Sequence, residues 1–234
     1  MKKLALFVEG QTELIFCEYL IQVLFGELNY AIQTQRASGR KKARQITTIT
    51  AKENGNNGAD YYFLIRDCGN DRSVISDLRD DSNSLFVQGY ELALGIRDLF
   101  PDFSVDDLER FEKGLQQTLE NCSIPITPII AVVETETWFL FEYKHFKKLD
   151  PKLTPTQIRS ERGIDVKKDN FEVDECSASK LASIYSLAGI DYDKSEKVVL
   201  RIMNSMSAEN LANYVSKRSS SFNSLYMTLK GFIA

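Results

Sequence analysis

No stretch of this sequence approaches the ~18 consecutive apolar residues that a membrane-spanning helix requires. The chain starts Met1-Lys2-Lys3, and the apolar run Leu4–Val8 stops at Glu9. A secretory signal needs an apolar core of ~7–15 residues and a small-residue cleavage site, and neither is present. The expectation is a cytoplasmic protein with no membrane partner. Histidine is nearly missing, with His145 alone. The four cysteines (Cys17, Cys68, Cys122, Cys176) lie far apart, without CxxC spacing. Those shortages argue against a zinc site and for free, buried thiols. Neither sign of charge dominates: 29 basic residues stand against 33 acidic ones, for a net charge of −4. A nucleic-acid coat protein would be far more basic. There are no internal repeats and no low-complexity tract.

What remains is ordinary globular composition. Hydrophobic residues make up 43% and charged residues 26% of 234, which suffices for a sizeable core without disulfide or metal staples. At ~150 residues per domain the length suggests one domain plus an appended lobe.

The pattern opens as an α/β unit. Leu4–Val8 reads as a strand buried on both faces. Glu9-Gly10 breaks it, and from Gln11 the residues Leu14, Phe16, Cys17, Leu20, Ile21 and Leu24 follow helical spacing up to Gly26. Tyr30–Gln35 and Thr47–Thr50 read as strands, and the Asn- and Gly-rich 53–59 segment as a loop. Tyr61–Ile65 is the strongest strand signal, running into Arg66-Asp67-Cys68-Gly69-Asn70-Asp71. Ser82–Phe100 reads as a helix interrupted by Gly89 and Gly95. A second helix from Ser104 carries Val105, Leu108, Phe111, Leu115 and Leu119. Ile129–Val133 is the last buried strand, leading into Glu134-Thr135-Glu136-Thr137-Trp138-Phe139-Leu140. Trp138 reads as core. After Lys148 the character changes: Pro151 and Pro155 mark a break, 159–174 is charged and aperiodic, and short helical patterns follow around Leu181, Val198, Leu211 and Phe222. The expected organisation is an α/β domain over 1–148 and a helical lobe over 149–234.

Acidic residues gather where predicted strands end: Glu9, then Asp67 and Asp71, then Glu134 and Glu136. In open α/β sheets, ligands bind outside the carboxyl ends of the strands. Carboxylates brought together there disfavour one another's ionisation, and a hard divalent cation relieves the conflict. Two such ions would serve a phosphodiester displacement. Acids after strands also cap helices, and Glu134 and Glu136 equally suit the opening of the helix that carries Trp138 and Phe139.

The segment Leu6-Phe7-Val8-Glu9-Gly10-Gln11-Thr12-Glu13 resembles the strand–glutamate–glycine turn of TOPRIM domains. It is most similar to the version in the overcoming-lysogenisation-defect nucleases, where a second glutamate follows in the first helical turn. The strand ending at Asp67 is similar to that family's aspartate strand. The 133–140 segment and the tail around Ser221-Phe222 resemble uncharacterised bacterial TOPRIM-like proteins, some encoded beside ATPases in anti-phage loci. The resemblance covers roughly residues 4–140. It implies a TOPRIM-like, mostly parallel sheet of about four strands flanked by helices and followed by the C-terminal helical lobe. It implies a Mg²⁺- or Mn²⁺-dependent nuclease acting on DNA or RNA (tRNA among the candidates) in bacterial anti-phage defence. It implies that Glu9 and Asp67 are catalytic and that Glu9, Glu13 and Asp67 hold the metal; the strand-end acids Asp71, Glu134 and Glu136 complete the candidate metal ligands. An ATPase partner or a self-assembled inactive state would restrain such an enzyme. One departure stands out: the family has a second aspartate two positions after the first, where this chain has Gly69, and Asp71 is the nearest substitute. The alternative is therefore a catalytically inactive regulatory or binding subunit of an ATPase complex.

The Glu9-Gly10-Gln11-Thr12 turn lacks the Gly-Lys-Ser/Thr ending of a phosphate loop, so ATP hydrolysis by this chain is disfavoured. No tyrosine stands in a topoisomerase-like context, which points to attack by activated water. For nucleic-acid contact the candidates are Arg36, Arg40, Lys41, Lys42 and Arg44, five basic residues in nine. Lys144 and Lys147 form part of a second cluster. Basic loops of this kind track phosphates with salt-dependent affinity, and a solvated loop or a protein contact is the competing reading.

Overall fold

The computed structural model describes residues 1–39, 44–55, 58–173 and 176–233, with the backbone alone at Asp71. Among these, six strands form one sheet: β1 (Lys2–Val8), β2 (Tyr30–Ser38), β3 (Gln45–Asn54), β4 (Tyr61–Asp67), β5 (Leu92–Asp98) and β6 (Ile126–Ala131), in the order β3-β2-β4-β1-β5-β6. β1 pairs in parallel with β4 and β5, and β2 with β4, while β3 runs antiparallel to β2. Backbone bonds from Ala93 to Pro125 and from Leu99 to Ala131 advance together, so β6 is also parallel to β5. The fold is α/β with a mostly parallel sheet.

The central strands are the near-continuous apolar runs that double-sided burial demands. Leu4 through Val8 are fully buried. One face is covered by α1 (Gln11–Phe25), whose Phe25 ring packs edge-on against Phe63 at 4.6 Å. The other face carries α2 (Asp71–Val87). There Arg66 pairs with Asp81, and the missing side chain of Gly95 makes room for Leu78, Ile75 and Val74. The two helices therefore lie on opposite faces. This is what right-handed crossovers require when β1 connects towards β2 on one side and β4 towards β5 on the other. β4 and β1 are neighbours, so the chain order reverses between them.

The chain divides into two compact units. The first is Met1–Arg97 with Glu109–Ile130 and Ile233, and holds most of the sheet, α1, α2 and α3 (Leu108–Leu119) except its first residue. The second is Asp98–Leu108 with Ala131–Phe232. It is helical: α4 (Glu136–Phe141), α5 (Lys144–Leu149), α6 (Pro155–Arg162), α7 (Ser177–Ser186), α8 (Glu196–Ser205), then α9 (Ala208–Asn210), a π-helical turn (Leu211–Val215) and α10 (Ser216–Arg218), and lastly α11 (Ser220–Ile233). Trp138, Phe139, Phe141, Phe146, Tyr185 and Phe222 are fully buried in it, and the Trp138 indole donates to Ser221 Oγ at 3.1 Å. Trp138 is core, as the pattern indicated. The lone histidine belongs to a buried polar network. Glu142 accepts from the His145 amide at 3.0 Å and from Asn210 Nδ2 at 2.9 Å, and His145 Nε2 meets the Tyr185 hydroxyl at 2.8 Å.

Several expectations are corrected. The Ser82–Phe100 stretch is not one helix. α2 ends at Val87, Gly89 turns the chain at φ 78°, and Leu92–Asp98 is a buried strand. Burial on both faces erases the alternation that would have separated it from a helix, and six strands replace the four expected. The last strand ends at Ala131 rather than Val133. The boundary placed after residue 148 falls inside α5, within the second unit. Cys17 and Cys68 are buried, but Cys122 is intermediate and Cys176 exposed.

Candidate functional site

At the carboxyl end of the sheet, register fixes which residues meet. Arg36 on β2 is level with Asp67 on β4, and Asp67 with Val8 on β1. Adjacent parallel residues in one row share a face, so Arg36 and Asp67 both point to the α1 side. Glu9 follows Val8 directly, and Cys68 donates its amide to Val8 O at 2.8 Å, tying the two strand ends together. Glu9 and Asp67 are thus brought to neighbouring strand ends, at the point where the chain order reverses. Crevices at such reversals are where open α/β sheets bind ligands.

Asp67 is buried and doubly held. Its Oδ1 accepts from the Gly69 amide at 2.8 Å, and its Oδ2 accepts from Arg36 Nε at 2.9 Å. Gly69 adopts φ 76°, a left-handed conformation that glycine takes without the penalty a side chain brings. The residue standing where a second aspartate was sought therefore has a backbone role. The Arg36 guanidinium also donates to Gln11 Oε1 at 3.1 Å, at the start of α1. Gly10 is the N-cap of that 15-residue helix and supplies no side-chain cap. The first-turn amides of such a helix are donors that favour an anion. Glu13 is buried in the first turn, its Oε2 about 3.5 Å from where a Cβ on Gly10 would lie. Asp71 is the first residue of α2, and its side chain lies outside the described residues; Asn70 caps that helix by accepting from the Ser73 amide at 3.0 Å.

Glu134 and Glu136 belong to the second unit. Val133, at φ 71°, turns the chain after β6 in a conformation strained for a β-branched residue. Glu134 Oε2 accepts from the Ala178 amide at 2.8 Å and so caps the start of α7. Burial is the main cause of its raised pKa, and the neighbouring Glu136 charge adds to it. Glu136 opens α4 and is fully buried; its Oε1 receives the Tyr192 hydroxyl at 3.0 Å and Lys194 Nζ at 2.6 Å, while its Oε2 has no hydrogen-bond partner. Asp98, the last residue of β5, accepts from the amide and hydroxyl of Thr135 at 2.8 and 2.9 Å. The sequence reading missed Asp98 because its strand was read as a helix. Its signal, an apolar run ending in an acid, is that of Asp67.

The basic candidates are redistributed. Arg36 is within β2 rather than in a loop. Arg44 pairs with Asp77 and donates to the Cys68 carbonyl, so both arginines are committed to acidic or carbonyl partners. Arg40, Lys41 and Lys42 lie outside the described residues. In the second unit, Lys144 and Lys147 are exposed on α5, with Lys144 Nζ 3.9 Å from Glu209.

Among the described residues, no three histidine, cysteine, aspartate or glutamate side chains come close enough to cage a metal ion. The donor chemistry at the β1 and β4 ends, Asp67 and the Glu9 that follows Val8, is hard carboxylate oxygen. It suits Mg²⁺, which is commonly held by one or two carboxylates with the remainder from water and phosphate, and does not suit a closed all-protein site. Comparison of the chain with protein-family models, with curated proteins and with solved structures finds no match.

Proposed function

We propose that this protein is a Mg²⁺- or Mn²⁺-dependent hydrolase of phosphodiester bonds in DNA or RNA, working at the β1 and β4 strand ends of the first unit. The observation that carries the reading is the Arg36–Asp67 pair at the end of β4, next to the strand end that Glu9 follows and to the α1 N-terminus, whose N-cap glycine supplies no side-chain bond. At the end of β4 a carboxylate that could hold a cation, Asp67, stands next to a guanidinium that could hold a phosphate, Arg36. Bound cation supplies charge neutralisation for the phosphate and for the attacking water. The chain's own residues do the rest. Glu9 takes the proton as water oxygen bonds to phosphorus and the ester P–O bond breaks, the leaving oxygen taking up a proton from solvent. Asp67, fixed by Gly69, holds its carboxylate in one orientation. The α1 amides and Arg36 meet the phosphate oxygens, where developing charge is best stabilised by donors already in place. The TOPRIM resemblance extends this to an anti-phage effector, with tRNA among its substrates and an ATPase partner for restraint.

The test is cleavage of DNA and of tRNA with Mg²⁺ or Mn²⁺ by the wild type, Glu9→Ala and Asp67→Asn. Loss of a general base lowers the rate by about 10²–10⁴, so Glu9→Ala should fall by that factor with its fold intact. Equal cleavage by wild type and variant would remove Glu9 from the mechanism. A second reading, a non-catalytic subunit of an ATPase complex, is favoured by one observation: both oxygens of Asp67 already have partners within the chain. Partner binding by the wild type without cleavage under any metal would select it.

A further inference from the structure

We propose that Arg36 and the divalent cation compete for one oxygen of Asp67, so that cation entry releases the guanidinium to the substrate phosphate. The inference rests on the reading of the strand ends as a cation-assisted phosphodiester site, and it assigns Arg36 a role there. Asp67 has one oxygen, Oδ1, anchored by the Gly69 amide at 2.8 Å. Its other oxygen, Oδ2, is taken by Arg36 Nε at 2.9 Å. A metal ligated through Oδ2, the oxygen the Gly69 amide leaves open, would share it with the guanidinium, and two positive charges at one oxygen repel strongly. The two partners differ in freedom. The Asp67 side chain is 6% exposed and immobilised, whereas that of Arg36 is 48% exposed, so the arginine is the one that can leave.

Where it goes is also constrained. Its second contact is Gln11 Oε1 at 3.1 Å, in the first turn of α1. A guanidinium freed from Asp67 stays tethered beside the first turn of α1, whose N-cap Gly10 supplies no side-chain bond. Its planar fork matches a phosphate with two parallel bonds. In the resting chain Arg36 neutralises Asp67; with cation bound it neutralises the substrate. Since coupling between two ligands is reciprocal, phosphate that draws Arg36 away also favours cation binding.

The experiment is titration with Mn²⁺ alone, reading free Mn²⁺ by electron paramagnetic resonance, for the wild type, Arg36→Gln, Arg36→Lys and Asp67→Asn. A partly exposed ion pair opposes the metal only modestly, so Arg36→Gln should bind Mn²⁺ roughly two- to fivefold more tightly than the wild type. Its turnover on nucleic acid should nevertheless fall. Arg36→Lys keeps the charge but loses the planar Nε donor, and should tighten binding roughly two- to threefold; it stands in if Arg36→Gln does not fold. Asp67→Asn should lose at least about tenfold. If Asp67→Asn loses Mn²⁺ while the Arg36 variants match the wild type, competition is wrong and the cation site stands. If none of the proteins binds Mn²⁺, or Asp67→Asn binds as the wild type does, the cation reading fails and the competition with it.

Discussion

Glu134 is held where its charge is costly. Burial raises its pKa, the Glu136 carboxylate raises it further, and the Ala178 amide and Lys194 oppose them only in part. A carboxyl with a raised folded pKa binds its proton more tightly in the native than in the unfolded chain. Its stabilising contribution is complete below the ordinary glutamate pKa and is lost as pH rises through the raised value. Glu134→Gln keeps an oxygen for the Ala178 amide and does not titrate. The Tm of the variant relative to the wild type should therefore rise as the pH is raised from the ordinary glutamate pKa through the raised one, and a difference independent of pH would remove the burial argument. Asn70 provides a test with no titration in it. Its side chain accepts from the Ser73 amide at the start of α2, and Asn70→Ala should cost about 1 kcal/mol in chemical denaturation. These two residues also mark what the sequence tells at this scale. An acid or amide at a strand-to-helix junction is visible, but whether it caps a helix or faces a ligand depends on which amides the fold brings to it. Glu134 caps α7, 44 positions away in sequence, and nothing local announces that.

At the scale of elements, hydrophobic pattern revealed β1, α1, β2 and β4 because each has a period or an uninterrupted apolar run with clear stops. It failed at β5, where Leu92–Ile96 follows a helix closely and Gly95 reads as a helix flaw. The structure gives that glycine another meaning. A Cβ there would lie 2.6 Å from Leu78 Cδ1 and 3.3 Å from Ile75 and Val74, so its absence sets how closely α2 approaches the sheet. Gly95→Ala should destabilise the protein by about 1–3 kcal/mol, the usual cost of overpacking, measured as a lower denaturation midpoint at unchanged slope. Gly10 is the contrast. Its φ is −160°, open to any residue, and an added Cβ would meet only Glu13 Oε2 at an ordinary 3.5 Å. The glycine of the strand–turn–helix signature is thus not required by backbone geometry, and Gly10→Ala should fold with a midpoint close to the wild type's. A low activity in that stable variant would point to close approach of a ligand to the turn. The pairing of Arg36 with Asp67 was hidden for a related reason. The two are 31 positions apart and meet only because β2 and β4 are parallel neighbours in register, whereas the sequence offered Arg36 as part of a basic loop.

For the whole molecule, composition and the change of character near Lys148 suggested a simple division into consecutive pieces, but the compact units are interleaved. The second takes Asp98–Leu108 from between stretches of the first, and it begins again at Ala131, inside the final strand. A single sequence cannot show such interleaving, since each segment is locally unremarkable and only long-range packing groups them. The consequence is testable by truncation. A fragment of residues 1–148 keeps Trp138, Phe141 and Phe146 but loses the rings that pack on them: Phe222 at 5.8 Å from Trp138, Phe171 at 5.3 Å from Phe141, and Tyr185 at 5.7 Å from Phe146. It also strips Glu142 of Asn210 and His145 of Tyr185, leaving buried polar groups without partners. Each large side chain returned to water costs about 1.5–3 kcal/mol, and a domain holds only about 5–15 kcal/mol in total. The fragment should therefore fail to give a dispersed amide spectrum, whereas the full chain should give one. A well-dispersed spectrum from 1–148 would mean that the α/β unit carries its own stability and folds without residues 149–234.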